Sequence, residues 1–146
     1  MRISTKGRYG LRAMLDLAVN SNGEKVSLFS IAKRQDISVN YLEQVFSVLR
    51  KAGYVNSIKG ASGGYLLAMD PSKIKVGDIL RSLEGDLVVV DEITDSGQSS
   101  NNIQLCIKKN VWDKFNESIA KAADSITLRD LVENYRDLTS SPMFYI

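Results

Sequence analysis

The feature that most constrains the fold is a pair of short helical segments separated by a break of a few residues. Ser27 can cap the first segment, which runs to about Arg34. Ser38 can cap the second segment, over residues 39–52, and Gly53 stands where a left-handed residue commonly ends a helix. Two short helices joined by a tight turn are typical of a helix-turn-helix motif.

The second of these helices is predicted to be amphipathic. Its apolar residues recur at helical spacing and therefore form one inward face: Leu42, Val45, Phe46 and Leu49. Its outward face then carries the remaining side chains: Asn40, Tyr41, Glu43, Gln44, Ser47 and Lys51. A polar outer face is what a helix that reads the edges of nucleic-acid bases requires.

A β-hairpin is predicted directly after the two helices. Two β-prone runs, 54–58 and 65–69, flank a turn that contains Lys59, Gly60, Ser62 and a glycine pair. A hairpin in this position is a wing, whose glycines allow a close approach to a backbone while Lys59 supplies positive charge. The fold class is therefore mainly α with a small β-hairpin wing.

The rest of the chain is also predicted to be mostly helical. A first helix starts at Ser4 or Thr5 and ends near residue 19, a short helix covers 76–84, and a polar loop covers 95–102. Thr127 and Asp130 form a capping box for a last helix that runs to about residue 135. We divide the chain into a winged helix-turn-helix domain (1–85), a sensor or linker loop (86–102) and a C-terminal part (103–146).

The longest periodic stretch, residues 103–123, predicts a dimerisation helix. Its apolar stripe consists of Ile103, Cys106, Ile107, Val111, Phe115, Ile119 and Ala122. A helix of this length spans about 30 Å, which is longer than the core of so small a chain needs. The stripe is therefore expected to pack partly on a second copy, in a homodimer.

Composition argues against catalysis. The chain has no histidine and one cysteine, Cys106, so it can form neither a Ser-His-Asp triad, a Cys-His pair nor a zinc site of histidines or thiolates. It has no signal peptide, membrane span or disulfide framework, which favours a cytoplasmic protein that is not an enzyme.

The charge is unevenly distributed along the chain. Residues 1–85 hold 13 Lys and Arg against 7 Asp and Glu, a net charge of +6. Residues 86–146 hold 6 against 10, a net charge of −4. The asymmetry is compatible with a module that binds a polyanion, and equally with uneven surface charge.

Three stretches, residues 3–10, 41–44 and 59–65, resemble the Rrf-two family of bacterial winged-helix regulators. The resemblance implies a homodimer that binds a pseudo-palindromic operator in double-stranded DNA. It also implies these DNA contacts: Ser38, Asn40, Tyr41, Glu43, Gln44, Lys59 and Gly60. The family often has arginine at position 59, and a lysine there keeps the charge but loses the planar fork. The chemistry of Glu43 and Gln44 agrees with a role in DNA contact, since a carboxylate can accept from the amino group of cytosine and a glutamine amide can pair with adenine.

The resemblance also indicates which residues a cluster-binding regulator of this family would use to sense its signal. Cluster-binding members place three cysteines and a histidine in the stretch matching 92–109, where this chain keeps only Cys106 and has Lys109 at the histidine position. Two thiolates per dimer fall short of the four ligands that iron–sulfur clusters usually take. We therefore expect no cofactor and no metal. Cys106 is interpreted as a buried structural thiol, with a redox-sensing thiol as the alternative.

The C-terminal residues Phe144, Tyr145 and Ile146 are apolar up to the terminal carboxylate. They resemble the tail of family members that control cysteine metabolism and partner cysteine synthase, an enzyme that accepts a peptide ending in isoleucine. The alternative is that the tail folds onto its own dimer.

The leading hypothesis is a repressor of cysteine and sulfur metabolism genes. The alternatives are a regulator of iron–sulfur assembly genes with a degenerate or absent cluster, and a protein-interaction module that does not bind DNA.

Overall fold

The computed structural model describes residues 1–91 and 101–140. The chain is mostly helical with one two-stranded antiparallel hairpin, which confirms the predicted fold class. In chain order the elements are α1 (Thr5–Asn20), α2 (Leu28–Gln35), α3 (Val39–Lys51), β1 (Val55–Ile58), β2 (Gly64–Leu67), a 3-10 turn (Pro71–Lys73), α4 (Val76–Glu84), α5 (Asn102–Ile107), a π-helical turn (Lys108–Trp112), α6 (Asp113–Asp124) and α7 (Leu128–Ser140).

One hydrophobic core holds the helices and the hairpin together. The four residues predicted to face inward from α3 are all buried, at 0–1% exposure. They pack with Met14 and Leu17 of α1 and with Ile79 of α4. Leu128, at the start of α7, lies in the same core. The core formed by residues of the 1–85 region is thus completed by a residue from beyond position 85. The division of the chain into domains stays a prediction.

The wing is wider than the predicted hairpin. β1 and β2 pair from Val55 opposite Leu67 to Ile58 opposite Gly64. In addition, Val26 forms a bridge to Tyr65, with backbone N–O distances of 2.8 and 2.9 Å. The segment that precedes α2 therefore runs beside β2 as a short third strand.

The predicted helix caps in which a helix is capped by residues next to it in the chain are confirmed. Ser27 Oγ accepts from the Ser30 amide and Ser38 Oγ accepts from the Tyr41 amide, each at 3.1 Å. Gly53 has φ +90°, as a left-handed helix end requires. The capping box before α7 is also present, since the Asp130 amide donates to Thr127 Oγ1 at 3.1 Å and the Thr127 amide to Asp130 Oδ2 at 2.9 Å.

The start of α1 is capped from elsewhere in the chain. Ser4 is the N-cap residue, but its side chain makes no capping bond to the helix. Instead Glu84, at the end of α4, accepts from the amides of Ser4 and Gly7, both at 2.9 Å, and from the Ser4 hydroxyl at 2.5 Å. A side chain at position 7 would force this carboxylate to move away from the helix start. The predicted serine cap is replaced here by a long-range carboxylate cap, because an anion is favourable at a helix N-terminus.

The C-terminal helices differ from the prediction in two details. The helix expected over 103–123 runs from Asn102 to Asp124 and contains the π-helical turn, and α7 extends to Ser140 rather than ending near residue 135. The junction between α6 and α7 is anchored on the preceding part of the chain. The Val76 amide donates to the Ile126 carbonyl and the Leu128 amide to the Ile74 carbonyl, both at 2.8 Å.

Candidate nucleic-acid interface

The outer face of α3 presents a group of polar side chains on one open concavity. Asn40, Glu43, Gln44 and Ser47 line it together. The first three are exposed, and their spacing of three and four residues brings them onto one side of the helix. The structure therefore brings together three residues that the sequence analysis selected as DNA contacts.

The chemistry of this face suits the major groove of DNA. A carboxylate is an acceptor for the amino group of cytosine, and the amides of asparagine and glutamine can donate and accept at the same time, which matches adenine. α3 has 13 residues and is about 20 Å long. A helix of that size and polarity fits into a major groove about 12 Å wide.

Two further predicted contacts have partly structural roles at the start of α3. Ser38 Oγ is an acceptor in the helix cap, which leaves its own proton free to donate. Tyr41 is half-buried rather than fully outward, and its ring meets Tyr9 edge-on with centroids 6.0 Å apart. The Arg12 guanidinium lies 5.0 Å from the centroid of the Tyr9 ring. The start of the helix is thus fixed against α1.

The wing places Lys59 and Gly60 at its exposed tip. Gly60 has φ +127°, and no atom lies within 4 Å of the position that a side chain would take. The glycine is required by the backbone conformation and leaves open space above the tip. The Gly63 amide donates to the Gly60 carbonyl at 3.1 Å and closes the turn.

A buried network that the sequence analysis missed orients the helix-turn-helix. Asp16 of α1 is 5% exposed and accepts from Arg34 Nη2 at 2.7 Å, from Arg34 Nε at 3.0 Å and from Gln35 Nε2 at 2.9 Å. Hydrogen bonding to this carboxylate raises the pKa of Arg34 above its ordinary value. The signal in the sequence was an aspartate between two leucines on the apolar face of a helix, since a buried carboxylate requires such partners.

Cys106 is exposed in the described structure of one chain. For the single chain, the interpretation of a buried structural thiol is therefore wrong. Its immediate polar neighbour is Asn110, whose side-chain amide donates to the Cys106 carbonyl at 2.8 Å and lies 3.7 Å from Sγ. Although the cysteine falls on the apolar stripe, the stripe itself is largely uncovered by the residues that the structure describes.

The donor set does not fit an iron–sulfur cluster. Cys106 is the only thiol of the sequence, and histidine is absent. Within residues 1–91 and 101–140, no group of three or more histidine, cysteine or acidic side chains is arranged to hold a metal ion. Two copies of the chain would together supply two thiolates, fewer than the four ligands that such clusters usually take.

Some predicted sites lie outside the described residues. Phe144, Tyr145 and Ile146, the partner-binding tail, are among them, as is most of the loop before Asn102. Within the part of the chain that the structure describes, no helix is both long enough and apolar enough to cross a membrane.

The helix-turn-helix, the polar face of α3 and the attached wing define a winged helix-turn-helix DNA-binding protein. A family model described as "Rrf2: Iron-dependent Transcriptional regulator" matches residues 3–134. The chain belongs to the Rrf2 family of transcriptional regulators and is not an enzyme. The family expected from the three motifs is thereby confirmed.

Individual relatives agree with this assignment. The chain is 41% identical to the HTH-type transcriptional regulator CymR of Bacillus subtilis over 146 residues, which is 100% of both chains. A solved structure of CymR, described as the global cysteine regulator of B. subtilis, matches with a TM-score of 0.77 and 40% identity, over 92% of this chain and 98% of that one. The structure of IscR from T. potens matches with a TM-score of 0.76 and 44% identity, over 100% of this chain and 97% of that one.

Proposed function

We propose that this chain is a homodimeric repressor of cysteine and sulfur metabolism genes. The observation that carries the proposal is the 41% identity to CymR over the whole length of both chains, together with the description of CymR as a global cysteine regulator. The operator is a pseudo-palindrome, because a two-fold symmetric dimer presents two equivalent reading helices.

In this proposal α3 reads bases and the wing contacts the DNA beside it. Asn40, Glu43 and Gln44 contact base edges, and Ser38 and Tyr41 contact the DNA backbone from the start of the helix. Lys59 and Gly60 approach the backbone from the wing tip. The exposure of the three base-reading side chains on one concavity supports this division of roles.

The dimer is proposed to form through the helix that runs from α5 to α6. Within residues 1–91 and 101–140 its apolar stripe is largely uncovered, with Ile103 at 72%, Phe115 at 51% and Ile107 at 40% exposure. Large apolar side chains in a row at helical spacing indicate a surface that packs on a second helix. Residues 1–85 then act as the DNA-binding part, 86–102 as a linker and 103–146 as the dimerisation part.

Base reading is tested by measuring affinity for a duplex selected from a random library with the full chain. Glu43→Ala and Gln44→Ala are each expected to lower affinity for that duplex by about 1–3 kcal/mol and to relax the selected sequence at one position. Glu117→Ala, an exposed residue of α6, is the control and is expected to bind normally. Unchanged selectivity in both reading-helix variants would contradict the assignment.

We further propose that cysteine synthase binds the apolar tail that ends in Ile146 and so tunes DNA binding. The support is the apolar character of Phe144, Tyr145 and Ile146, since apolar side chains fill the pockets of peptide-binding sites. Calorimetric titration of the organism's own cysteine synthase is expected to show binding to the full chain and none to a chain that lacks Ile146. Equal binding by both chains, or by neither, would remove the tail from this role.

A second candidate is a regulator of iron–sulfur assembly genes, favoured by the 44% identity to the T. potens IscR. We propose that the chain carries no cluster in either case, because its one cysteine and absent histidines supply too few ligands. Anaerobic purification with iron analysis is expected to give no stoichiometric iron. Stoichiometric iron with a cluster absorption spectrum would favour this second candidate instead.

A further inference from the structure

A second polar concavity lies between the wing and the first turn of α2. It is lined by Asn20, Lys25, Val26, Ser27, Ser30, Arg34, Ser62 and Gly63. These lining residues, all within the described part of the chain, include two cations and three hydroxyls but no carboxylate. Cations and hydroxyl donors are the groups that contact phosphate oxygens in protein–DNA complexes.

The concavity exists because the segment before α2 is tied to the wing. The backbone pairing of Val26 with Tyr65 holds that segment beside β2. Gly64 permits the approach, since a Cβ at this position would lie 2.7 Å from the Val26 carbonyl oxygen. Lys25 Nζ then donates to Ser62 Oγ at 3.1 Å. Lys25 is thus held at the wing turn by Ser62, which lies three residues from Lys59 in the chain.

Lys25 supplies the net positive charge of this concavity. The charge of Arg34 is offset by Asp16, with which it forms an ion pair at 2.7 Å. Among the ion pairs of the described residues, none involves Lys25. Its Ser62 partner is neutral and accepts the lysine's hydrogen bond, so the serine hydroxyl proton is still available to donate.

We propose that this concavity binds one phosphate of the DNA backbone. Lys25 is the cationic partner, and the hydroxyls of Ser62 and Ser27 donate to the phosphate oxygens. The occupant is DNA because the turn that carries Ser62 also carries Lys59 and Gly60, at the exposed tip of the wing of a DNA-binding regulator. The inference rests on the proposed placement of the wing against the duplex, and it extends the wing contact from one lysine to two.

Fluorescence anisotropy at a series of salt concentrations tests the contact. The probes are the duplex selected with the full chain and a second duplex of unrelated sequence. Lys25→Ala is expected to weaken binding to both duplexes by the same factor, about tenfold at low salt, because phosphate contacts carry no sequence information. The slope of log affinity against log salt is expected to become shallower by about 0.9 per chain, or about 1.8 per dimer.

Two variants serve as controls. Lys25→Arg keeps the charge and is expected to retain the salt slope. Lys73→Ala removes an exposed lysine that follows the base of the hairpin, at the end away from the wing tip, and is expected to bind like the unaltered chain. Circular dichroism melting of each variant verifies that the fold is kept.

An unchanged salt slope in Lys25→Ala, alongside a shallower slope in Lys59→Ala, would overturn the proposal. A loss of affinity for the selected duplex alone would also overturn it, because that result indicates base reading. If the unaltered chain bound neither duplex, the proposed function itself would fail, and this contact with it.

Discussion

The helix α3 and the helix that runs from α5 to α6 carry similar apolar stripes that differ in their burial. The inward face of α3 is fully covered by its own chain, and Leu42, Phe46 and Leu49 are all 0% exposed. On the longer helix, Ile103, Ile107 and Phe115 stay 40–72% exposed, and no residue of α5 or α6 is buried. The same periodicity therefore gives a core in one place and an open surface in the other.

The difference shows that an amphipathic pattern predicts a buried face without identifying what covers it. α3 sits between α1, α2 and α4, which all belong to the same chain. The longer helix contacts the rest of the chain mainly where α6 meets α4. The other described residues leave its apolar stripe largely uncovered, which is the physical basis for the proposed dimer.

The largest expected effect comes from truncating the same residue type in both helices. Phe46→Ala is expected to lower the free energy of unfolding by about 3–5 kcal/mol at every protein concentration, because it leaves a cavity in the core. Phe115→Ala is expected to have an effect that depends on concentration, since the exposed half of this residue would be covered on association in the proposed dimer. Denaturant unfolding at several protein concentrations makes the comparison, and a concentration-independent loss at Phe115 would contradict it.

A charge placed on the stripe sharpens the same contrast. Phe115→Asp is expected to raise the dimer dissociation constant by at least about 100-fold, since an unpaired carboxylate would be buried in an apolar interface. Glu117→Lys, which alters charge on the opposite side of the helix, is the control. Sedimentation equilibrium measures both, and equal dissociation of the two variants would remove the stripe from the interface.

The smallest expected effect concerns the end of α6, where the uncovered helix is anchored. Arg81 donates to Asp124 at 2.7 and 2.9 Å, and this hydrogen bonding lowers the pKa of Asp124. At the 3-10 turn, hydrogen bonds from the Ser72 hydroxyl and amide lower the pKa of Asp70 to about 2. A depressed carboxyl pKa contributes stability above the pKa of the unfolded chain, about 3.9, and that stability is lost as the pH falls through the folded-state value.

The free energy of unfolding is therefore expected to decline between about pH 4 and pH 2. Asp124→Asn is expected to flatten this decline and to cost less than about 1 kcal/mol at neutral pH, because both partners are about one-third exposed and screened by water. Thermal melting across this pH range provides the measurement. A variant that follows the pH profile of the unaltered chain would indicate that the ion pair contributes nothing.

Much of the helix-turn-helix, the wing and the start of the last helix could be predicted from sequence because their signals are local. The Ser38 cap, the inward face of α3, the glycine turn of the wing and the Thr127–Asp130 capping box each depend on residues a few positions apart. The outward placement of Asn40, Glu43 and Gln44 follows from the same periodicity. Tyr41 departs from it because Tyr9, distant in the sequence, lies beside its ring.

Local sequence patterns thus predicted the order of the main helices and of the hairpin, and which face of α3 is polar. Long-range contacts in the folded chain, by contrast, place Glu84 at the cap of α1, bury Asp16 against Arg34 and hold Lys25 at the wing turn. The exposure of Cys106 likewise depends on the tertiary structure. The physical reason is that each of these outcomes depends on contacts between residues far apart in the chain, which local periodicity does not encode.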